Sequence, residues 1–229
     1  MTGSSATSIC CLPRTSAPSD LEELDLSDRI TDAGLAHLAE LVRLRKLDLS
    51  TQSISDKGLL NLAKLDALEE LVLASESAYL SEEMKKSPPG SKITGSGLAA
   101  LAGATKLTRL DLRAVSGLTD AGLRGLVEMT QLKSLVLPPQ ITDAGLAHLV
   151  GLTNLIELKL DDTNVTDAGI AQLAKLKSLE SVSLKNVGIT DAAVPHFAGS
   201  AHTKPAAWNS EIATSKSISS IKSSMRLRQ

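Results

Sequence analysis

Read for its apolar positions alone, the chain switches period twice within every stretch of about 24 residues. From Leu44 the order is L-x-x-L-x-L-x-x-Q-x-I-S-D-x-G-L-x-x-L-x-x-L-x-x, and from Leu155 the same order returns with Val165 and Ile170 as substitutes. The alternation in Leu47-Asp48-Leu49 has period two and predicts a short strand with its leucines inward. Leu59, Leu62 and Leu65, like Leu146, Leu149 and Leu152, recur every third residue and predict one stripe of a short helix. Seven copies begin at Leu21, Leu44, Leu68, Leu107, Leu132, Leu155 and Leu179. The third is interrupted by extra residues between Leu73 and Ile93, and the seventh fades after Phe197.

Between the strand and helix halves stands Thr-Asp-Ala-Gly or a variant, as at Thr31–Gly34, Ser55–Gly58, Thr119–Gly122, Thr142–Gly145 and Thr166–Gly169. A Ser or Thr hydroxyl there is expected to cap the helix amides, and the Asp to sit against the positive end of the helix dipole.

Units that repeat at this period stack and share one continuous core. Strands side by side in a parallel sheet are spaced about 4.8 Å, whereas helix axes need about 10 Å. The stack is therefore expected to bend into an arc, with strands on the concave face and helices on the convex one. The expected organisation is a leader over 1–20, one α/β repeat domain over 21–198 with an insertion at about 74–92, and a basic Ser-rich tail over 199–229. Leader and tail lack periodic apolar residues and are expected to be disordered. Continuing the register past Phe197 asks for apolar residues near 200 and 203, where Ser200 and Thr203 stand. Neither end shows a capping unit, so the expectation is a fragment or truncated product, with Trp208 available to fold back over the last repeat.

The nonapeptide I-T-D-A-G-L-A-H-L occurs verbatim at Ile30–Leu38 and Ile141–Leu149. With the leucine pattern it resembles the leucine-rich repeat family, in the strand–helix subclass of F-box-associated repeats, GALA-type effectors and other bacterial repeat proteins. The resemblance spans about residues 21–198. It implies a leucine-rich-repeat solenoid and non-catalytic protein–protein recognition. It also implies an alternative, the substrate-recognition subunit of a ubiquitin ligase or a piece of a larger signalling or effector protein. Only 20 residues precede the first repeat, too few for the helical adaptor that such a subunit needs.

Composition narrows the partner. Tyr79, Phe197 and Trp208 are the only aromatics, so the aromatic anchors common at tight interfaces are scarce. Residues 21–198 carry 18 Lys/Arg against 24 Asp/Glu, while residues 199–229 carry five against one. An acidic body lacks the basic stripe that nucleic acid requires. Cys10 and Cys11 are adjacent and form neither a spaced disulfide framework nor a C-x-x-C pair. No apolar run is long enough to span a membrane or to serve as a secretion signal. A cytoplasmic protein with a protein partner, and with neither nucleic acid nor membrane as partner, is the expectation.

Candidate chemistry is sparse. His37, His148 and His196 occupy equivalent positions in repeats one, five and seven, too far apart at about 10 Å per helix to share a metal. The Asp of each Thr-Asp-Ala-Gly is explained by capping and the dipole rather than by acid–base or calcium chemistry. No phosphate-binding loop, nucleophile elbow, H-E-x-x-H or dinucleotide fingerprint occurs. No enzyme activity, cofactor or metal is expected.

The concave face offers more. Its first outward row should be Glu23, Lys46, Glu70, Arg109, Ser134, Glu157 and Ser181, and its second Asp25, Asp48, Val72, Asp111, Val136, Lys159 and Ser183. Charges alternate along the first row and should pair across strands. Asp25, Asp48 and Asp111 are candidates to meet a basic partner. The insertion should leave the rim of this face beside Glu70, Val72 and Arg109, and its Tyr79, Leu80 and Met84 are candidate contacts on one short helical turn.

Overall fold

The computed structural model of the protein describes residues 20–26, 30–49, 54–73 and 92–198. Most of the leader, the insertion and the tail lie outside these residues, and with them Tyr79, Leu80, Met84 and Trp208.

Seven three-residue strands form one open parallel sheet in sequence order: β1 (Glu23–Asp25), β2 (Lys46–Asp48), β3 (Glu70–Val72), β4 (Arg109–Asp111), β5 (Ser134–Val136), β6 (Glu157–Lys159) and β7 (Ser181–Ser183). The sheet is built from one rule repeated. Arg45 and Lys46 donate their N–H groups to the Glu22 carbonyl at 2.7 and 2.9 Å, and Leu26 donates back to Asp48 at 3.1 Å. The middle residue of every strand but the last is a buried leucine, while its two neighbours face out. The register places Glu23, Lys46, Glu70, Arg109, Ser134, Glu157 and Ser181 in one row. Asp25, Asp48, Val72, Asp111, Val136, Lys159 and Ser183 form the next. Both rows are those the alternation predicts.

The helical halves pack against one another on the other side. They comprise α1 (Asp32–Leu38), α2 (Asp56–Leu62), α3 (Ser96–Ala100), α4 (Asp143–Leu146), α5 (Asp167–Leu173) and α6 (Val194–Ala198). A single leucine-dominated core runs the length of the stack between the two layers. Because strands are narrower than helices, the layers match only if the strand side is the inside of a curve.

The short helix expected in every copy is not always an α-helix. The fourth copy is a 3-10 helix throughout, Ala121–Leu126, and the fifth passes from α4 into a 3-10 segment, Ala147–Gly151. A 3-10 helix has three residues per turn, which lines up Leu123 and Leu126 on one edge, and the turns that follow carry the same step to Met129 and Leu132. Gly122 and Gly125 weaken the α-helix in the fourth copy. Even after α2 the chain descends to the next strand in three-residue steps, with Leu65 N–H on Leu62 and Leu68 N–H on Leu65, both at 3.0 Å. That polyturn is what the threefold leucine spacing encodes.

Candidate functional site

Two features are built from polar residues: a set of contacts between repeats and the outward face of the sheet. The first accounts for the Thr-Asp-Ala-Gly motif. The hydroxyls of Ser55, Thr142, Thr166 and Thr190 accept the N–H two residues on, as capping predicts. The carboxylate, beyond any effect on its own helix dipole, reaches the next repeat. Asp32 accepts the N–H and hydroxyl of Ser55 at 2.8 and 2.5 Å. Asp56 holds Thr94 at 3.0 and 2.6 Å and Ser96 at 2.7 Å. Asp120 holds Thr142, Asp143 holds Thr166 and Asp167 holds Thr190 in the same way.

The motif glycine leaves room for that carboxylate, since a Cβ on Gly145 would lie 2.5 Å from Asp120 Oδ1, and one on Gly58 equally close to Asp32 Oδ1. Burial pushes the Asp56 carboxyl up, but bonds from Thr94, Ser96 and Gly97 outweigh it and hold the pKa at about 2. The Thr190 hydroxyl and N–H likewise hold Asp167 below the usual range. These Asp residues are thus engaged as structural groups between repeats.

One of the six junctions departs from the pattern. Gly95 stands where Asp belongs, at φ +129°, and a Cβ there would fall on the Gly122 Cα.

The outward sheet face carries the charges. Arg45 meets Glu69 with two bonds of 3.0 Å and Glu22 at 3.5 Å, and Lys46 meets Glu23 at 2.9 Å. Hydrogen bonds donated to these carboxylates push the Arg45 and Lys46 pKa values up, and Arg45 pulls that of Glu69 down. Across β1–β3 and the residue before each strand, six carboxylates (Glu22, Glu23, Asp25, Asp48, Glu69, Glu70) stand against two cations (Arg45, Lys46). Asp25 and Asp48 are register neighbours at the ends of β1 and β2, the first exposed and the second half-buried. Glu70 lies between Lys46 and Arg109, and Val72 is a half-buried apolar spot beside Asp48.

Asp111 does not join Asp25 and Asp48. Val72 separates it from Asp48, roughly 10 Å away at two strand spacings, and it is occupied by the N–H and guanidinium of Arg113 at 3.0 and 2.7 Å.

Beyond Asp111 the face deepens into a cleft of about 480 Å³ over β5–β7, lined by Arg113, Val136, Pro139, Glu157, Lys159, Asp161 and Lys185 among others. Burial pushes the Glu157 carboxyl up, and bonds from Ser134 together with Lys159 outweigh it, leaving it lowered. Asp161 accepts the Ser183 hydroxyl at 2.6 Å and the Lys185 N–H at 2.9 Å. Arg113, Asp161 and Lys185 come from the position just past the strand, where a third outward row was there to be read beside the two considered.

His37, His148 and His196 stand in the helical segments of their separate repeats. Among the described residues no group of three His, Cys, Asp or Glu is placed to hold a metal, and no helix is long and apolar enough to cross a membrane.

Comparison with solved structures decides the architecture. The chain is similar to an internalin C2 from Listeria monocytogenes, with 25% identity over 79% of this chain and 68% of that one, at a TM-score of 0.57. The fold is a leucine-rich-repeat solenoid. An internalin from the same organism, internalin F, aligns with 20% identity over 81% of this chain and 73% of its own, at a TM-score of 0.32. No family model and no curated protein matches the sequence. The F-box-associated and GALA-type subclass stays a matter of sequence resemblance, to which the likeness to internalin C2 adds nothing.

Proposed function

We propose that this leucine-rich-repeat solenoid is a non-catalytic protein-binding scaffold whose strand face receives a basic segment of a partner protein. The observation that carries the reading is the excess of six carboxylates over two cations across β1–β3, beside a half-buried apolar patch at Val72. Such a face attracts a basic partner from a distance and fixes its register more than it supplies raw affinity. Asp25, Asp48 and Glu70 are the contact residues proposed here, with Arg109 and Asp111 at the far border. The insertion residues Tyr79, Leu80 and Met84 belong to the same proposal on sequence grounds, because the insertion follows Leu73 directly after β3. A cytoplasmic location accords with adjacent Cys10 and Cys11 and the lack of a spaced disulfide pattern.

The test uses a partner isolated by co-purification and a triple charge reversal, Asp25→Lys with Asp48→Lys and Glu70→Lys. The expected result is a loss of affinity that shrinks as salt is raised, with the circular dichroism spectrum unchanged. Deletion of residues 75–91 is the parallel arm for the insertion. Affinity that stays the same after the triple reversal, in a folded protein, removes the acidic face from the proposal.

A further inference from the structure

We infer that the two ends of the repeat array are complementary and that copies of the chain associate head to tail, Asp191 of one copy seating on Thr31 and Gly34 of the next. The evidence is the contact seen at five junctions inside the solenoid. At each, the Asp of one repeat accepts an N–H and a hydroxyl from the Ser or Thr that opens the helical half of the next.

The first repeat carries the receiving half. Thr31 has φ −118° and ψ 172°, the extended conformation that Ser55, Thr142, Thr166 and Thr190 share. Those four hydroxyls are held by a carboxylate and also cap their helices. The exposed Thr31 side chain makes no cap bond, and among the described residues no carboxylate sits on it. Ile30–Leu38 is the same nonapeptide as Ile141–Leu149, in which Gly145 lies under the Asp120 carboxylate. A Cβ on Gly34, by contrast, would meet only the side chain of its own Ile30, at 3.2 Å. Among the described residues the seat is shaped and uncovered.

The seventh repeat carries the delivering half. Asp191 follows Thr190 as Asp167 follows Thr166, and it is exposed. Its carboxylate has no hydrogen-bond partner among the described residues. The sheet edges match as well. At the last internal junction Glu180 and Ser181 donate to the Ile156 carbonyl, and Leu160 donates to Ser183. Repeating that pattern between copies pairs the N–H groups of Glu22 and Glu23 with the Glu180 carbonyl, and Leu184 N–H with the Asp25 carbonyl. An edge strand with free main-chain groups is a template for such pairing. The two surfaces differ, so the contact is heterologous and adds copies in a row.

Sedimentation velocity on the full chain over a concentration series tests this. The expected result is a mass that rises from the 24.0 kDa of one chain as concentration increases. Asp191→Ala and Gly34→Leu should each raise the dissociation constant roughly tenfold or more, with Thr31→Val as a second, milder block of the seat. A mixture of the Asp191→Ala and Gly34→Leu chains decides the geometry, because one keeps its seat and the other its carboxylate. That mixture should form pairs and stop there.

A single-chain mass at every concentration overturns the inference, as does association that neither substitution weakens. A monomer whose Asp191→Ala variant melts at lower temperature also overturns it, assigning the edge to the chain's own residues 199–229.

Discussion

If Gly169 is glycine in order to admit the Asp143 carboxylate, then substituting the two positions together should cost less than the sum of the separate changes. Asp143 accepts the Thr166 N–H at 2.8 Å and its hydroxyl at 2.6 Å. Bonds to a charged group contribute about 1.5–3 kcal/mol each when shielded. The site is only half-buried, and solvent screening reduces the two together to about 1.5–3 kcal/mol for Asp143→Ala. A Cβ on Gly169 would fall on the Asp143 carboxylate, with Val165 at 2.9 Å. Gly169→Ala alone should therefore cost about 1–3 kcal/mol by overpacking, against a helix-propensity gain of about 1 kcal/mol. With the carboxylate gone the main clash goes too, and the propensity gain remains. The double variant should then be no less stable than Asp143→Ala by more than about 0.5 kcal/mol, a coupling of the size that touching residues show. Urea unfolding followed by far-ultraviolet circular dichroism measures all four corners of the cycle. Strict additivity would refute the account of why the motif pairs Asp with Gly across repeats.

Two further outcomes follow from the same contacts. Restoring the motif by Gly95→Asp should destabilise rather than complete the series, by about 1–3 kcal/mol or more in urea, because φ is +129° and the Gly122 backbone fills the space. Asp56 has its pKa lowered from 3.8 to about 2 in the fold, so its contribution is complete above pH 4 and is lost as pH falls toward 2. Asp167 acts in the same direction. The urea midpoint should drop across that window, less steeply in Asp56→Asn, and equal slopes in both proteins would count against the assignment.

The strands and their register were legible because period two leaves no freedom: with Leu24, Leu47, Leu71 and Leu110 inward, the rows beginning at Glu23 and Asp25 can only face out. Helix type was less legible. Leucines three apart fit an α-helix, a 3-10 helix or a polyturn, and glycines such as Gly122 and Gly125 tip the balance locally. The reach of each motif Asp into the following repeat was hidden, because a residue next to a helix start already has a sufficient local explanation. Its trace in the sequence is the glycine one repeat later, which a cap alone does not require. Asp111 shows another limit, since its place in the outward row was legible but its bond to Arg113, two residues away, was not.

The substitution of glycine at position 95 has a consequence in acid. The junctions held by Asp56 and Asp167 are fastened by carboxylates whose pKa values the bonds from the next repeat lower, and each of those fastenings slackens once its carboxyl is neutral. The contact between Gly95 and Gly122 is made of backbone alone and has nothing to titrate. Lowering the pH would therefore loosen the coil on both sides of the third and fourth repeats while leaving that seam unchanged, so the part of the molecule with the least conspicuous chemistry is the part whose grip acid cannot alter.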